Sequence, residues 1–224
     1  MNFPGVNIQL GAGGVDLVDT MQLLLLFTVL TLAPSILVMC TAFTRILVVL
    51  GFLRQAMGTQ NMPPNQLLIG LALFLAAFVM MPTGQEIYTN SLRPYLDKQQ
   101  TSVQALEGME KSMRLFMSKQ TRKSDIQLFF DVTNRPYPKT IDEVPTFYLI
   151  PSFIISELKT AFQIGFLLYI PFLILDMVVA SVLMAMGMMM LPPVLISMPF
   201  KILLFILVDG WNLVIGSLMK SFVV

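Results

Sequence analysis

The 224-residue sequence contains no histidine and a single cysteine, and only 12% of it is charged. Without histidine the chain lacks the commonest metal ligand, the commonest general base and the one side chain that titrates near neutral pH. With Cys40 alone, no disulfide can close within the chain, and its place in an apolar run reads as a small buried hydrophobe. The net charge of +1 gives no electrostatic bias toward nucleic acid. No glycine loop cradles a phosphate: "GAGG" at Gly11–Gly14 lacks the strand and helix that such a loop joins, and reads as a flexible tail. No enzyme activity, cofactor or metal is therefore expected. What remains is mechanical or transport work, or an acid-based chemistry inside a membrane.

Apolar residues are what the chain has in excess. They make up 56% of it, and the mean hydropathy is +0.77. Soluble domains carry about twice this share of charge, near 25%. The composition is that of a membrane protein. Residues 1–20 are Gly-rich, carry Asp16 and Asp19, and contain no Lys or Arg. That tail lacks the basic start of a signal peptide and fits an N-terminus outside the membrane. Met21 to Leu53 is almost continuously apolar. As one helix it would be about 50 Å long, so a kink at Pro34 is expected. A short basic connection, "RQAMGTQNMPPNQ", leads to a second apolar run from Leu67 to Met81 and reads as a cytoplasmic turn.

Residues 82–149 differ. They hold nine of the fourteen Lys/Arg and eight of the thirteen Asp/Glu. Leu106, Met109, Met113 and Phe116 form a narrow helical stripe. Thr101-x-x-Gln104, Ser124-x-x-Gln127 and Thr140-x-x-Glu143 each match a capping box. Helices are expected near 102–119, 125–133 and from 141 onward, on the periplasmic side. The last apolar block runs to the C-terminus. It reads as one long kinked helix to about Met190, a Pro192–Pro193 turn, and a final helix to about Leu218. The expected fold is an all-α membrane protein of two kinked helical hairpins, with four transmembrane-type helices and a helical periplasmic insertion. Its units are 1–20 (tail), 21–81 (first hairpin), 82–149 (periplasmic region) and 150–224 (second hairpin). Both termini are expected in the periplasm.

Six charges interrupt apolar sequence: Arg45, Glu157, Lys159, Asp176, Lys201 and Asp209. Each would cost roughly 2.5–3.5 kcal/mol at a lipid-facing helix centre, so pairing is expected. Glu157 and Lys159 do not share a helix face. Glu157 is expected to meet Lys201, within the chain or on a neighbouring subunit. Phe116 and Phe129 are expected to pack between subunits. Glu157, Asp176 and Asp209 would also suit an ion- or proton-coupled transporter subunit, though the chain is short for a fold built from repeats. An aspartyl protease is disfavoured, because neither aspartate has the Gly-x-Gly-Asp context.

The run "MAMGMMMLPP" (Met184–Pro193) places five methionines at a helix-hairpin tip. Methionine fills irregular cores. At a tip closed by Pro192–Pro193, its soft thioethers also suit a seal that yields to an irregular object. One turn cannot close a pore, whereas a ring of identical turns can.

"TAFTRILVVLGFLRQAMGTQNMPPNQLLIGLALFLAAFVMMP" (Thr41–Pro82), "PSFIISELKTAFQIGFLLYIPFLILDMVVASVLMAMGMMMLPP" (Pro151–Pro193) and "PFKILLFILVDGWNLVIGSL" (Pro199–Leu218) resemble the flagellar export-apparatus family FliP, which is related to the virulence-system SctR proteins. The resemblance implies a core subunit of the type III export gate in the bacterial inner membrane, within the flagellar basal body. It implies a pentamer that joins FliR, FliQ and other export-apparatus membrane proteins, contacts membrane lipid, and conducts unfolded flagellar substrates. It implies that the assembled cone is lifted toward the periplasm, and that Met188, Met189 and Met190, with Met184 and Met186, form a gasket. Members of the family carry a cleavable signal peptide, so the chain is read as the mature form.

Overall fold

The computed structural model describes residues 17–59, 62–188 and 190–222. The expected N-terminal tail lies outside them as far as residue 16. Among the described residues every regular element is helical.

The first apolar run is two helices, α1 (Leu17–Met39) and α2 (Phe43–Ala56). The break falls at residues 40–42 rather than at Pro34, which lies inside α1. Thr41 makes the break: its hydroxyl donates to the Val38 carbonyl at 2.8 Å and accepts from the Phe43 amide at 3.4 Å. Cys40 is buried there, as its apolar context implies.

α3 (Asn65–Ile87) runs on through a π-helical turn (Tyr88–Leu92) into α4 (Arg93–Leu96). Together they are about 48 Å long, well past the expected end at Met81 and through Pro82. α5 (Ser102–Gln120) begins at the expected capping box. The Gln104 backbone amide donates to the Thr101 hydroxyl at 3.3 Å, and the Thr101 backbone amide donates to the Gln104 side-chain Oε1 at 3.0 Å. The other two boxes do not form. α6 (Lys123–Val132) starts one residue before Ser124, and Thr140 heads only a 3-10 turn (Ile141–Glu143) without a side-chain cap.

α7 (Thr146–Ala185) is 40 residues long and contains Pro151 and Pro171. It ends at Ala185 rather than near Met190. The final helix is likewise divided, into α8 (Pro193–Leu207) and α9 (Gly210–Lys220), which bend by 67°. Among the described residues two helices, Asn65–Leu96 and Thr146–Ala185, are long and apolar enough to cross a membrane, and the bent α8–α9 pair makes up to three.

α7 packs against α2, α5, α6 and α8. The larger core joins Ile46, Val49 and Leu50 of α2 to Phe116, Ile126, Leu149 and Phe153. A smaller one joins Leu53, Ala56 and Met57 to Phe172, Phe205 and Val214. Gly165 lets α2 approach closely: a Cβ there would lie 2.6 Å from the Phe52 ring. Beyond Phe172, α7 and α8 form a hairpin whose apolar side chains are mostly bare.

Candidate functional site

The methionine run closes that hairpin. Gly187 is the reason α7 stops: at φ +75° it adopts the left-handed conformation that glycine tolerates best. The Met188 amide donates to Leu183 O at 2.9 Å and the Gly187 amide to Met184 O at 3.0 Å, the paired bonds of a Schellman motif. Pro192 then sits at the N-cap of α8 and Pro193 at its first position, where a missing N–H costs nothing. Met184, Met186, Met188 and Met190 are exposed by 59, 63, 37 and 96%. Met189 lies outside the described residues. These thioethers fill no gap in the chain's own core.

Behind the turn sits a buried clasp. Lys201 Nζ of α8 donates to Asp176 Oδ2 of α7 at 2.6 Å, and the Ser197 hydroxyl donates to Asp176 Oδ1. Lys201 and Ser197 are buried, while Asp176 keeps a partly open edge. A Cβ at Gly58 would lie 3.7 Å from Val194 and 3.9 Å from Lys201 Nζ. The turn after α2 therefore closes over the base of α8, and both hairpin turns lie at one end of the molecule. Arg54 fixes that turn by donating to Pro63 O and Asn65 Oδ1.

A second polar node gathers around Arg45 of α2. Arg45 Nε donates to Glu157 Oε2 at 2.9 Å, and Nη2 donates to Glu157 Oε1 and, at 3.2 Å, to Gln120 Oε1. Nη1 donates to the carbonyl and hydroxyl oxygens of Ser221 at 2.9 and 3.1 Å. All five guanidinium donors are thus engaged, and the Phe222 ring lies 3.9 Å from the guanidinium carbon. Four parts of the chain meet here: α2, α5, α7 and the C-terminal end.

The expected Glu157–Lys201 pair is therefore replaced by two others, Glu157–Arg45 and Asp176–Lys201. Each lies between helices that pack side by side, which brings opposite charges within reach without a second subunit. Phe116 is also reassigned. It is buried against Phe153 in the chain's own core, and Phe129 is half-buried on the same core. Lys159 is exposed and, among the described residues, has no ion-pair partner. Asp209 is exposed too. It takes a left-handed φ of 51° at the N-cap of α9 and accepts from Asn212 at 3.1 Å. A Cβ at Gly210 would fall 2.3 Å from the Phe205 ring, so the bend depends on this Asp-Gly step.

Sequence reading missed Ser197, Gln120, Ser221 and Phe222. Their partners are distant in the chain and leave no periodic trace. The Asp209–Gly210 break did carry a signal, since Asp-Gly is a common turn dipeptide.

The FliP family model matches residues 26–218. The flagellar biosynthetic protein FliP of Bacillus subtilis (strain 168) is 53% identical over 97% of this chain and 98% of its own length. That of Caulobacter vibrioides is 54% identical over 97% of this chain and 82% of its own length. That of Aquifex aeolicus is 48% identical over 98% and 92%, respectively.

Proposed function

Because the chain belongs to the FliP family, we propose that it is the channel-forming subunit of the flagellar protein export gate in the bacterial inner membrane. Five copies, joined by FliR and FliQ, enclose a conduit for unfolded flagellar subunits. The chain makes no bond and drives no transport; it provides the wall and the seal. The observation that carries this reading is the methionine turn. Four described thioethers stand exposed at the tip of a hairpin, with nothing in their own chain to cover them. In a ring they cover one another. Methionine is suited to this because an unbranched, polarizable side chain packs against changing shapes.

The finer arrangement is part of the same proposal. Residues 21–81 and 150–224 form two broken hairpins, 82–149 form a periplasmic region, and both termini lie in the periplasm. Support comes from the turn at Gly58 packing against α8, which sets the two hairpin turns together, as a shared cytoplasmic side requires. The transporter alternative is disfavoured. Glu157 and Asp176, two of the acids it would titrate, are held by Arg45 and Lys201.

The test is a leak measurement. Changing Met184, Met186, Met188, Met189 and Met190 to alanine should raise the permeability of membranes that carry the assembled complex to ions and small solutes by at least tenfold. Complexes of unchanged mass that stay as tight as wild type would show that the turn is not the seal.

A further inference from the structure

α7 is about 60 Å long, twice the hydrocarbon thickness of about 30 Å. Counted back from the methionine tip, the stretch from Ala185 to Gln163 spans about 33 Å. α3 covers the same distance between Asn65, beside the other turn, and Ile87, where the π-helical turn begins. Both long helices therefore reach the far edge of a bilayer at these two points.

Arg122, at the N-cap of α6, sits at that level of α7. Its backbone amide donates to the Ser156 hydroxyl at 3.1 Å. Its Nη2 donates to Gln163 Oε1 at 2.6 Å and to Thr160 Oγ1 at 3.3 Å. The guanidinium is thus fixed against α7, and its Nε and Nη1 donors have no acceptor among the described residues. Lys159 precedes Gln163 by four residues, on the same helix face, and is exposed. Lys119 and Lys123, close to Arg122 in the chain, are exposed as well. None of these four cations has an ion-pair partner among the described residues. The acids of the same segments are engaged inside the fold. Glu157 is held by Arg45, and Asp125, itself buried, accepts from Ser156 at 2.6 Å. A fixed guanidinium beside a free ammonium is suited to a phosphate group.

An apolar track starts directly below these cations. Phe162, Phe166, Ile170, Leu173 and Met177 follow Lys159 at steps of three and four residues and are 37–66% exposed. The track is about 22 Å long, deeper than one leaflet. A free phosphate would use the cations and leave the track bare. A ligand with an anionic head and a hydrocarbon tail uses both. We propose that Arg122 and Lys159 hold the phosphate of an anionic phospholipid, in the leaflet away from the methionine tip, with its acyl chain along Phe162, Phe166 and Ile170. Basic pockets beside membrane helices bind lipid head groups in this way. This inference rests on the membrane placement proposed above and adds a specific lipid to it.

The experiment is native mass spectrometry of the assembled complex in detergent, with phosphatidylglycerol, phosphatidylcholine or glycerol 3-phosphate added at equal concentration. Phosphatidylglycerol adducts should exceed phosphatidylcholine adducts about tenfold. Lys159→Gln removes no hydrogen bond or ion pair among the described residues, so it should leave the complex at normal mass and lower the adduct about fivefold. Adding Arg122→Gln should lower it about thirtyfold, and Arg122→Lys should restore part of that loss. p-Benzoylphenylalanine at position 166 should cross-link to lipid in the native membrane. Equal retention of the two lipids, unchanged adducts in the Lys159 variant, or glycerol 3-phosphate bound as well as the lipid would overturn the site. A cross-link from position 166 to a protein chain would overturn it too, since a protein would then occupy the track. Each of these results leaves the membrane placement standing, whereas chain stripped from membranes by alkaline carbonate would remove both.

Discussion

At the scale of single residues, Arg45 is the most constrained group in the chain. A buried pair is a poor source of net stability, but removing one partner leaves a bare charge in the core and costs about 3–5 kcal/mol. Arg45→Met alone, or Glu157→Leu alone, should therefore lower the unfolding temperature sharply in detergent. The double variant should recover much of the loss, although Gln120 and Ser221 still lose a donor. Double-variant stability no better than that of either single change would show that the pair does not stabilise as an isolated unit. The cost of burial told that Arg45, Glu157, Asp176 and Lys201 had to pair, with opposite signs, but the same expectation for Lys159 and Asp209 fails: both are exposed and have no ion-pair partner among the described residues. It could not tell the partners. Arg45 and Glu157 are 112 residues apart, and only the packing of α2 on α7 brings them together. Phe116 shows the same limit. Its place on a helical stripe marked it as a contact residue, yet periodicity does not say whether the contact lies within or between chains.

At the scale of elements, what was legible was local chemistry. The Thr101 capping box, the Pro192–Pro193 restart and the extent of α5 follow from residues within a few positions of each other. The break at 40–42 was missed because hydropathy passes through it with little change, and that at 208–209 because Asp209 reads in sequence as an intramembrane charge rather than as half of an Asp-Gly turn. The second break rests on the Phe205–Gly210 contact, which yields a prediction. Gly210→Ala places a Cβ inside the Phe205 ring, so either that ring leaves its pocket or α9 swings. Spin labels at Leu203 and Ser217 should then report a shifted or broadened distance distribution. An unchanged distribution would mean that the 67° bend is held by something else. Gly187 sets the other end of the hairpin. A β-branched residue there would meet the left-handed penalty of about 1–2 kcal/mol, and the turn that presents the methionines would be lost.

At the scale of the whole molecule, buried side chains concentrate around α2, α5, α6 and the first half of α7, whereas the far hairpin is exposed nearly all round. Local opening follows such gradients. In detergent, hydrogen exchange should be slowest across Ile46–Leu53 and Leu149–Ala161, and faster by orders of magnitude at residues 186–192 and 208–209. Uniform protection would contradict the division. One helix joins the two ends. From Glu157, pinned by Arg45, to Ala185 beside the methionines, α7 is a continuous helix of about 42 Å. A tilt of ten degrees about that pivot carries the tip sideways by about 7 Å. Such a lever turns a small adjustment among packed helices into a displacement the width of an extended peptide, and in the ring proposed above copies leaning in concert would widen or narrow an aperture in the manner of a camera iris.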